Sequence, residues 1–195
     1  QPQKIATWGN NVYIKIPVNP CVENDETCNV SSDGIKAIKE LTKSKIPINC
    51  TLIFTPEQAL LASKAGAKFV SPFMGREDDY IRELARIKFK KEDYFPQKGF
   101  RKGNKILSDN GIISGVDLVK KCVEIFRKNN IKTEVLAASI RSTRQFRESA
   151  EVGADIATVP FKVIKALLSH HKTQEGMKNF IKDIVPEYKK VIYLD

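Results

Sequence analysis

Short apolar runs alternate with helix-spaced apolar positions along most of this chain. The run Val12-Tyr13-Ile14-Lys15-Ile16-Pro17-Val18, bounded by Asn10-Asn11 and Asn19-Pro20, predicts a strand buried on both faces. Val12, Ile14, Ile16 and Val18 share one of those faces, and Tyr13 and Lys15 share the other. A polar loop over 19–32 leads to a helix over 34–45, which Ser32 or Asp33 can cap and which Pro47 stops. Its apolar side carries Ile35, Ile38 and Leu41. Further strands are predicted over 48–54, 68–73, 133–138 and 155–159, and further helices over 58–65, 114–129, 143–152, 161–169 and 174–184. Thr55-Pro56-Glu57 marks a helix start, with proline at the first helical position. A short tail, Val191-Ile192-Tyr193-Leu194, closes the pattern.

Strand and helix alternate at a spacing of about 20 to 35 residues, the signature of βαβ units and a parallel sheet. The class is α/β, and polar residues at the strand ends point to active-site loops of the kind α/β barrels carry. The stretch over 77–110 breaks the pattern. It reads as irregular and basic, with Arg82, Arg86, Lys88, Lys90, Lys91, Lys98, Arg101, Lys102 and Lys105, and it is long for a connection between elements.

A chain of 195 residues, 42% hydrophobic and 29% charged, suits one soluble globular domain, 1–195, and no apolar run approaches membrane-spanning length. Cys21, Cys28, Cys50 and Cys122 form no CxxC pair and the two histidines are adjacent, so no metal site is expected. Disulfides are not the expected use of these cysteines, although Cys21 and Cys28 share a loop. The net charge of +10 is compatible with nucleic acid, acidic metabolites or simple solubility.

Candidate chemistry starts at Lys15. A lysine turned into a barrel is desolvated, which favours its neutral, nucleophilic form and an imine with a substrate carbonyl; the bland alternative is an edge-strand lysine reaching water or a carboxylate. Asn49 and Thr51 share a face of the second strand and can hold a water or hydroxyl beside Lys15. Arg76 follows the third strand, and Ser139 and Arg141 follow the fourth. Strand-end arginines with a hydroxyl and exposed backbone N–H groups suit a phosphate.

Five ordered motifs resemble the transaldolase family, in particular its small microbial branch with the fructose-6-phosphate aldolases. They are Lys-Ile-Pro-Val from Lys15, Ile-Asn-Cys-Thr-Leu-Ile-Phe from Ile48, Val-Ser-Pro-Phe-Met-Gly-Arg from Val70, Leu-Ala-Ala-Ser-Ile-Arg from Leu136 and Thr-Val-Pro-Phe from Thr158. The resemblance implies a TIM-type β/α barrel and a Schiff base on Lys15. Asn49 and Thr51 would position substrate and a catalytic water, and Arg76, Ser139 and Arg141 would hold a sugar phosphate. The implied reaction transfers a dihydroxyacetone unit from a ketose phosphate to an aldose phosphate in the pentose phosphate pathway, with no cofactor. Phe73 stands where the aldolase members carry tyrosine, which favours the transaldolase activity. A cytoplasmic homo-oligomer is implied, with the helix over 174–184 at a contact between copies.

The family barrel has eight strands and about five are predicted here, so the chain is expected to be partial, without the N-terminal units that carry an aspartate, a Thr-Thr-Asn-Pro motif and an acid/base glutamate. Tyr193-Leu194-Asp195 matches the family's first strand only as a three-residue coincidence. Two other readings are a non-catalytic sugar-phosphate-binding remnant and, from the basic stretch interleaved with Phe89, Tyr94, Phe95 and Phe100, a nucleic-acid-binding protein. Nucleic acid is the lesser reading, because Glu83, Glu92 and Asp93 break up the charge.

Overall fold

A computed structural model of the chain describes residues 2–22 and 28–184. The tail Val191-Ile192-Tyr193-Leu194 and the Tyr193-Leu194-Asp195 match lie outside the described residues. By its contacts the chain divides into two compact units, Gln1–Pro160 and Phe161–Asp195.

In the first unit α1 (Pro2–Ala6), which the apolar pattern did not predict, precedes β1 (Ile14–Pro17), α2 (Asp33–Lys43), β2 (Ile48–Ile53), α3 (Pro56–Ala65) and β3 (Phe69–Pro72). Next come α4 (Met74–Leu84), the antiparallel pair β4 (Arg101–Lys102) and β5 (Lys105–Ile106), α5 (Gly115–Lys128), β6 (Glu134–Ala137), α6 (Thr143–Glu151) and β7 (Ile156–Ala157). Five strands form one parallel sheet in the order β1-β2-β3-β6-β7. The fold is α/β, a partial TIM-type barrel. The second unit contains α7 (Phe161–Leu167) and α8 (His171–Asp183).

One face of the sheet packs on helices. Ile48, Cys50, Val70, Val135 and Ala137 point from alternate strand positions into a core with Ile38, Leu41, Ala59, Ala62, Leu118, Val119 and Phe126. Each fully buried Ile or Leu there contributes about 1.5–3 kcal/mol over exposure. Helix starts follow their local chemistry. Thr55 and Gln58 form a reciprocal capping box on α3, Ser114 accepts from Asp117 N on α5, and Ser142 accepts from Gln145 N on α6. Ser32 occupies the N-cap position of α2 without a side-chain bond.

The opposite face is open at its β1 edge. Ile14 and Val18 are buried on the helix side as expected, but Tyr13 and Lys15 are exposed, which corrects the expectation of a strand buried on both faces. The physical reason is position: β1 is an edge strand, and among the described residues nothing pairs with its outer side. Two further expectations change. The start of the supposedly irregular stretch is helical, since α4 runs through Leu84, and it buries Glu77, Asp78, Ile81 and Arg82. Cys21 and Cys28, not expected to pair, are joined by a disulfide with their Cα atoms 6.5 Å apart.

From α4 the chain departs on a segment that is packed, not loose. Arg82, 2% exposed, donates to Asp93 O at 2.8 Å and lies 5.0 Å from the ring centroids of both Phe89 and Phe95. Tyr94 donates to Glu148 Oε1 at 2.9 Å, and Phe95 is buried edge-on to Phe100. These contacts fasten the segment to α4 and α6.

Candidate active site

Lys15 and Asn49 are each the second residue of their strand, whereas Phe73 and Arg76 follow the C-terminal end of β3 and Ser139 and Arg141 follow that of β6. Parallel register sets Lys15 beside Asn49 and Asn49 beside Phe69, so Lys15, Asn49, Phe69, Ser71 and Phe73 fall on one face. Tyr13 stacks on Phe69 with centroids 4.6 Å apart and lines the lower part of that face. Lys15 Nζ lies 5.9 Å from the Phe73 ring centroid, and the Arg76 guanidinium lies 5.1 Å from the same centroid. Phe73 therefore has an amine and a guanidinium within cation–π reach.

Asn49 accepts a hydrogen bond from Ser71 Oγ at 2.6 Å, which fixes the amide, and Ser71 is 1% exposed. Ser71 was missed in the sequence because a serine inside an apolar strand reads as neutral filler. Thr51 is buried, and its Oγ1 has no protein partner. A buried hydroxyl of this kind is a place for a water or a substrate oxygen. Just beyond it, β2 loses register with β3 between Cys50 and Ile53, and Leu52 has φ +58°. Such bulges re-aim side chains at strand ends.

The arginine pair is only half free. Arg76 is exposed, whereas Arg141 places both terminal nitrogens on the two carboxylate oxygens of Asp79 and also donates to Lys91 O at 3.3 Å. Its Nε is buried and unpaired. Arg141 N donates to Gln145 Oε1 at 2.8 Å, so the strand end is tied to the first turn of α6. Ser139 has φ +62°, a conformation that strains a non-glycine residue and persists only where its surroundings enforce it. One enforcing neighbour is Gly75: a Cβ there would lie 2.3 Å from Ser139 O and 2.9 Å from Arg141 Nε. The Asp79 pairing was invisible in the sequence because its residues are 62 positions apart.

A cavity of about 720 Å³ opens beside the two arginines, where Arg76, Lys91 and Arg141 line it together with the acids Asp79, Glu83 and Asp109; Lys15, Asn49, Thr51, Phe73 and Ser139 are not in its lining. Phe54 packs against Phe73, with centroids 6.0 Å apart. Behind the cavity Asp78 accepts from Gly115 N at 2.7 Å and from Gln145 Nε2 at 2.8 Å, and burial pushes its carboxyl up to about 7. Glu77 is fully buried, has no partner for either oxygen, and is pushed up to about 8 by burial and then by Asp109 and Asp78. The thiols of Cys50 and Cys122 are held at about 12 by burial, so neither is a nucleophile. Among the described residues no group of three or more His, Cys, Asp or Glu could hold a metal ion.

A parallel sheet with helices packed on one face, a lysine and an Asn–Ser pair on the other, and arginines after the strand ends is the architecture of a partial β/α barrel. The chain belongs to the transaldolase/fructose-6-phosphate aldolase family, whose family model matches residues 1–192. It is 39% identical over 189 residues to a probable transaldolase of Bacteroides thetaiotaomicron, covering 97% of this chain and 65% of that protein. A probable transaldolase of Thermoplasma acidophilum is 38% identical over 191 residues, covering 98% and 65%. One from Nitrosopumilus maritimus is 35% identical over 182 residues, covering 93% and 63%. The chain thus spans just under two thirds of the length of these relatives.

Proposed function

We propose that the protein transfers a dihydroxyacetone unit from a ketose phosphate, such as fructose 6-phosphate or sedoheptulose 7-phosphate, to an aldose phosphate through an imine on Lys15. The observation that carries this reading is the Phe73 ring with Lys15 Nζ 5.9 Å and the Arg76 guanidinium 5.1 Å from its centroid. An amine for the carbonyl end and a cation for the phosphate end thus meet one aromatic residue on the open face of a family-typical sheet. Lys15 Nζ adds to the C2 carbonyl and water leaves, giving a protonated imine. The C3–C4 bond then breaks, its electrons pass to the imine nitrogen, and the aldose phosphate departs as the 4-hydroxyl loses its proton. The resulting enamine attacks the acceptor aldehyde, and water hydrolyses the new imine to free Lys15.

In this reading Asn49, fixed by Ser71, and the unpartnered Thr51 hydroxyl hold the substrate and the water that carries protons. Phe73 offers an apolar wall and no proton. Arg76, Ser139 and Arg141 take the phosphate. A cytoplasmic homo-oligomer belongs to the same proposal, supported by the exposed Met177, Phe180 and Ile181 of α8. Among the described residues no helix is long and apolar enough to cross a membrane.

The test is borohydride reduction of the protein with fructose 6-phosphate, read by intact mass. A substrate-dependent adduct that disappears in Lys15→Ala is expected. The exposure of Lys15 favours one second reading, a sugar-phosphate-binding protein without turnover. Saturable binding of fructose 6-phosphate with no adduct would replace the first reading with the second.

A further inference from the structure

The segment after α4 builds a second cavity that shares no lining residue with the first. It encloses about 550 Å³ between the β4–β5 hairpin and the first turns of α5. Lys98, Arg101 and Lys120 reach it from two sides, over a floor that includes Ile106 and Ile113. Among the described residues Lys98 and Arg101 have no carboxylate partner, and Lys120 has only Glu124 at 3.8 Å. The one acid in the lining, Asp117, is already committed, accepting from Ile113 N at 3.1 Å and from Lys121 Nζ at 2.5 Å. Three cations therefore line this concavity against one carboxylate, Asp117, whose Oδ2 is already bonded to Ile113 N and Lys121 Nζ.

The wall is built rather than adventitious. Gly99 sits at φ +75°, and a Cβ there would lie 2.9 Å from Ile113 O, so glycine lets the hairpin stem close onto the entry to α5. Leu107 N donates to Phe100 O and Gly99 N to Pro96 O, each at 2.8 Å, and Phe95 anchors the stem in buried contact with Phe100.

We infer that this cavity binds a small organic phosphate, its dianionic head held by Lys98, Arg101 and Lys120 and its apolar body lying on Ile106 and Ile113. The volume matches small-molecule sites, and an apolar floor with a few convergent polar groups is their usual make-up. Nucleic acid fits less well. Binding to single strands uses aromatic faces open to bases, yet Phe95 is buried, and Phe89 and Tyr94 each already carry a guanidinium over the ring, Arg82 at 5.0 Å and Arg144 at 3.8 Å.

Phenyl phosphate is the probe, titrated calorimetrically into the full chain at low salt in an Arg76→Ala, Lys91→Ala background, which removes both exposed cations of the first cavity. One saturable site is expected, with inorganic phosphate and phenol each binding at least about tenfold more weakly. Lys98→Ala and Arg101→Ala change exposed side chains and should leave the melting temperature in place while each weakens phenyl phosphate by about tenfold. Absence of saturable binding, or binding untouched by both substitutions, would overturn the assignment. So would a ten-nucleotide RNA that displaces phenyl phosphate and binds more tightly as its length grows, since that outcome assigns the cations to nucleic acid.

Discussion

Glu77 makes the stability of this fold pH-dependent in a direction opposite to that of most carboxylates. Its side chain is fully buried and neither oxygen has a partner, so the charged form faces a desolvation penalty that nothing offsets. The carboxyl is raised from 4.5 to about 8. Below pH 4.5 the group is protonated in both folded and unfolded chains. Between 4.5 and about 8 the unfolded chain ionises it while the folded chain keeps the proton, so stability declines as pH rises, and above about 8 the loss is complete. At about 1.4 kcal/mol per unit over that interval the total reaches roughly 5 kcal/mol as an upper bound.

Replacing Glu77 by Gln keeps the volume and removes the ionisation. Urea unfolding of both proteins between pH 5 and pH 9 is the assay. At pH 5 the two should differ by under about 1 kcal/mol, and by pH 8.5 the variant should be the more stable by several kcal/mol. Asp78, raised to about 7 mainly by burial, adds the same trend to both proteins, and because its charge also helps raise Glu77 the difference reports the Glu77 carboxyl together with that coupling. Parallel stability curves, or a wild type that gains relative to the variant as pH rises, would refute the reasoning and show that Glu77 carries its charge against a cation.

Arg82→Ala should destabilise by about 3–5 kcal/mol, because it removes a buried guanidinium that holds Asp93 O and two aromatic rings; limited proteolysis should then cut within 85–110 before the sheet unfolds. Gly75→Ala should push Ser139 and Arg141 from their places and weaken fructose 6-phosphate binding by about tenfold or more, measured calorimetrically. Asp79→Asn removes the carboxylate that occupies the Arg141 fork, so phosphate affinity at the first cavity should rise by about fivefold or more; a fall would mean that Asp79 orients Arg141 for its ligand.

What the sequence made legible was whatever apolar periodicity or local capping encodes. The five strands of the sheet, α3 with Thr55, Pro56 and Gln58, and α5 with Val116, Val119, Val123 and Phe126 fall where the pattern puts them, within a few residues at the ends. Of the candidate residues the sequence made placement legible: Lys15 and Asn49 lie on one face of β1 and β2, and Arg76, Ser139 and Arg141 follow β3 and β6. What stayed hidden was burial of charge. The face of α4 holding Glu77, Asp78, Ile81 and Arg82 has helical spacing, but three of its four side chains are ionisable, so a reading that counts apolar residues assigns it to solvent. Each of these groups finds its compensation far along the chain or not at all: Asp78 at Gly115 and Gln145, Arg82 at Asp93, and Glu77 by staying protonated.

The same buried polar layer gives the basic segment its order. A segment with so many lysines would be expected to stay solvated, and its lysines do face water. It is Arg82, Phe89, Tyr94 and Phe95 that hold it to α4 and α6. That division of labour leaves Lys91 at one cavity and Lys98 and Arg101 at the other, with their charges unspent on the fold. Cations that the fold does not use are where ligand selectivity can be set without loss of stability. Substitutions at Lys91, Lys98 and Arg101 should therefore alter anion binding and leave urea midpoints within about 0.5 kcal/mol of the parent protein. A stability loss well beyond that at any of the three would place its cation in the packing of the segment instead.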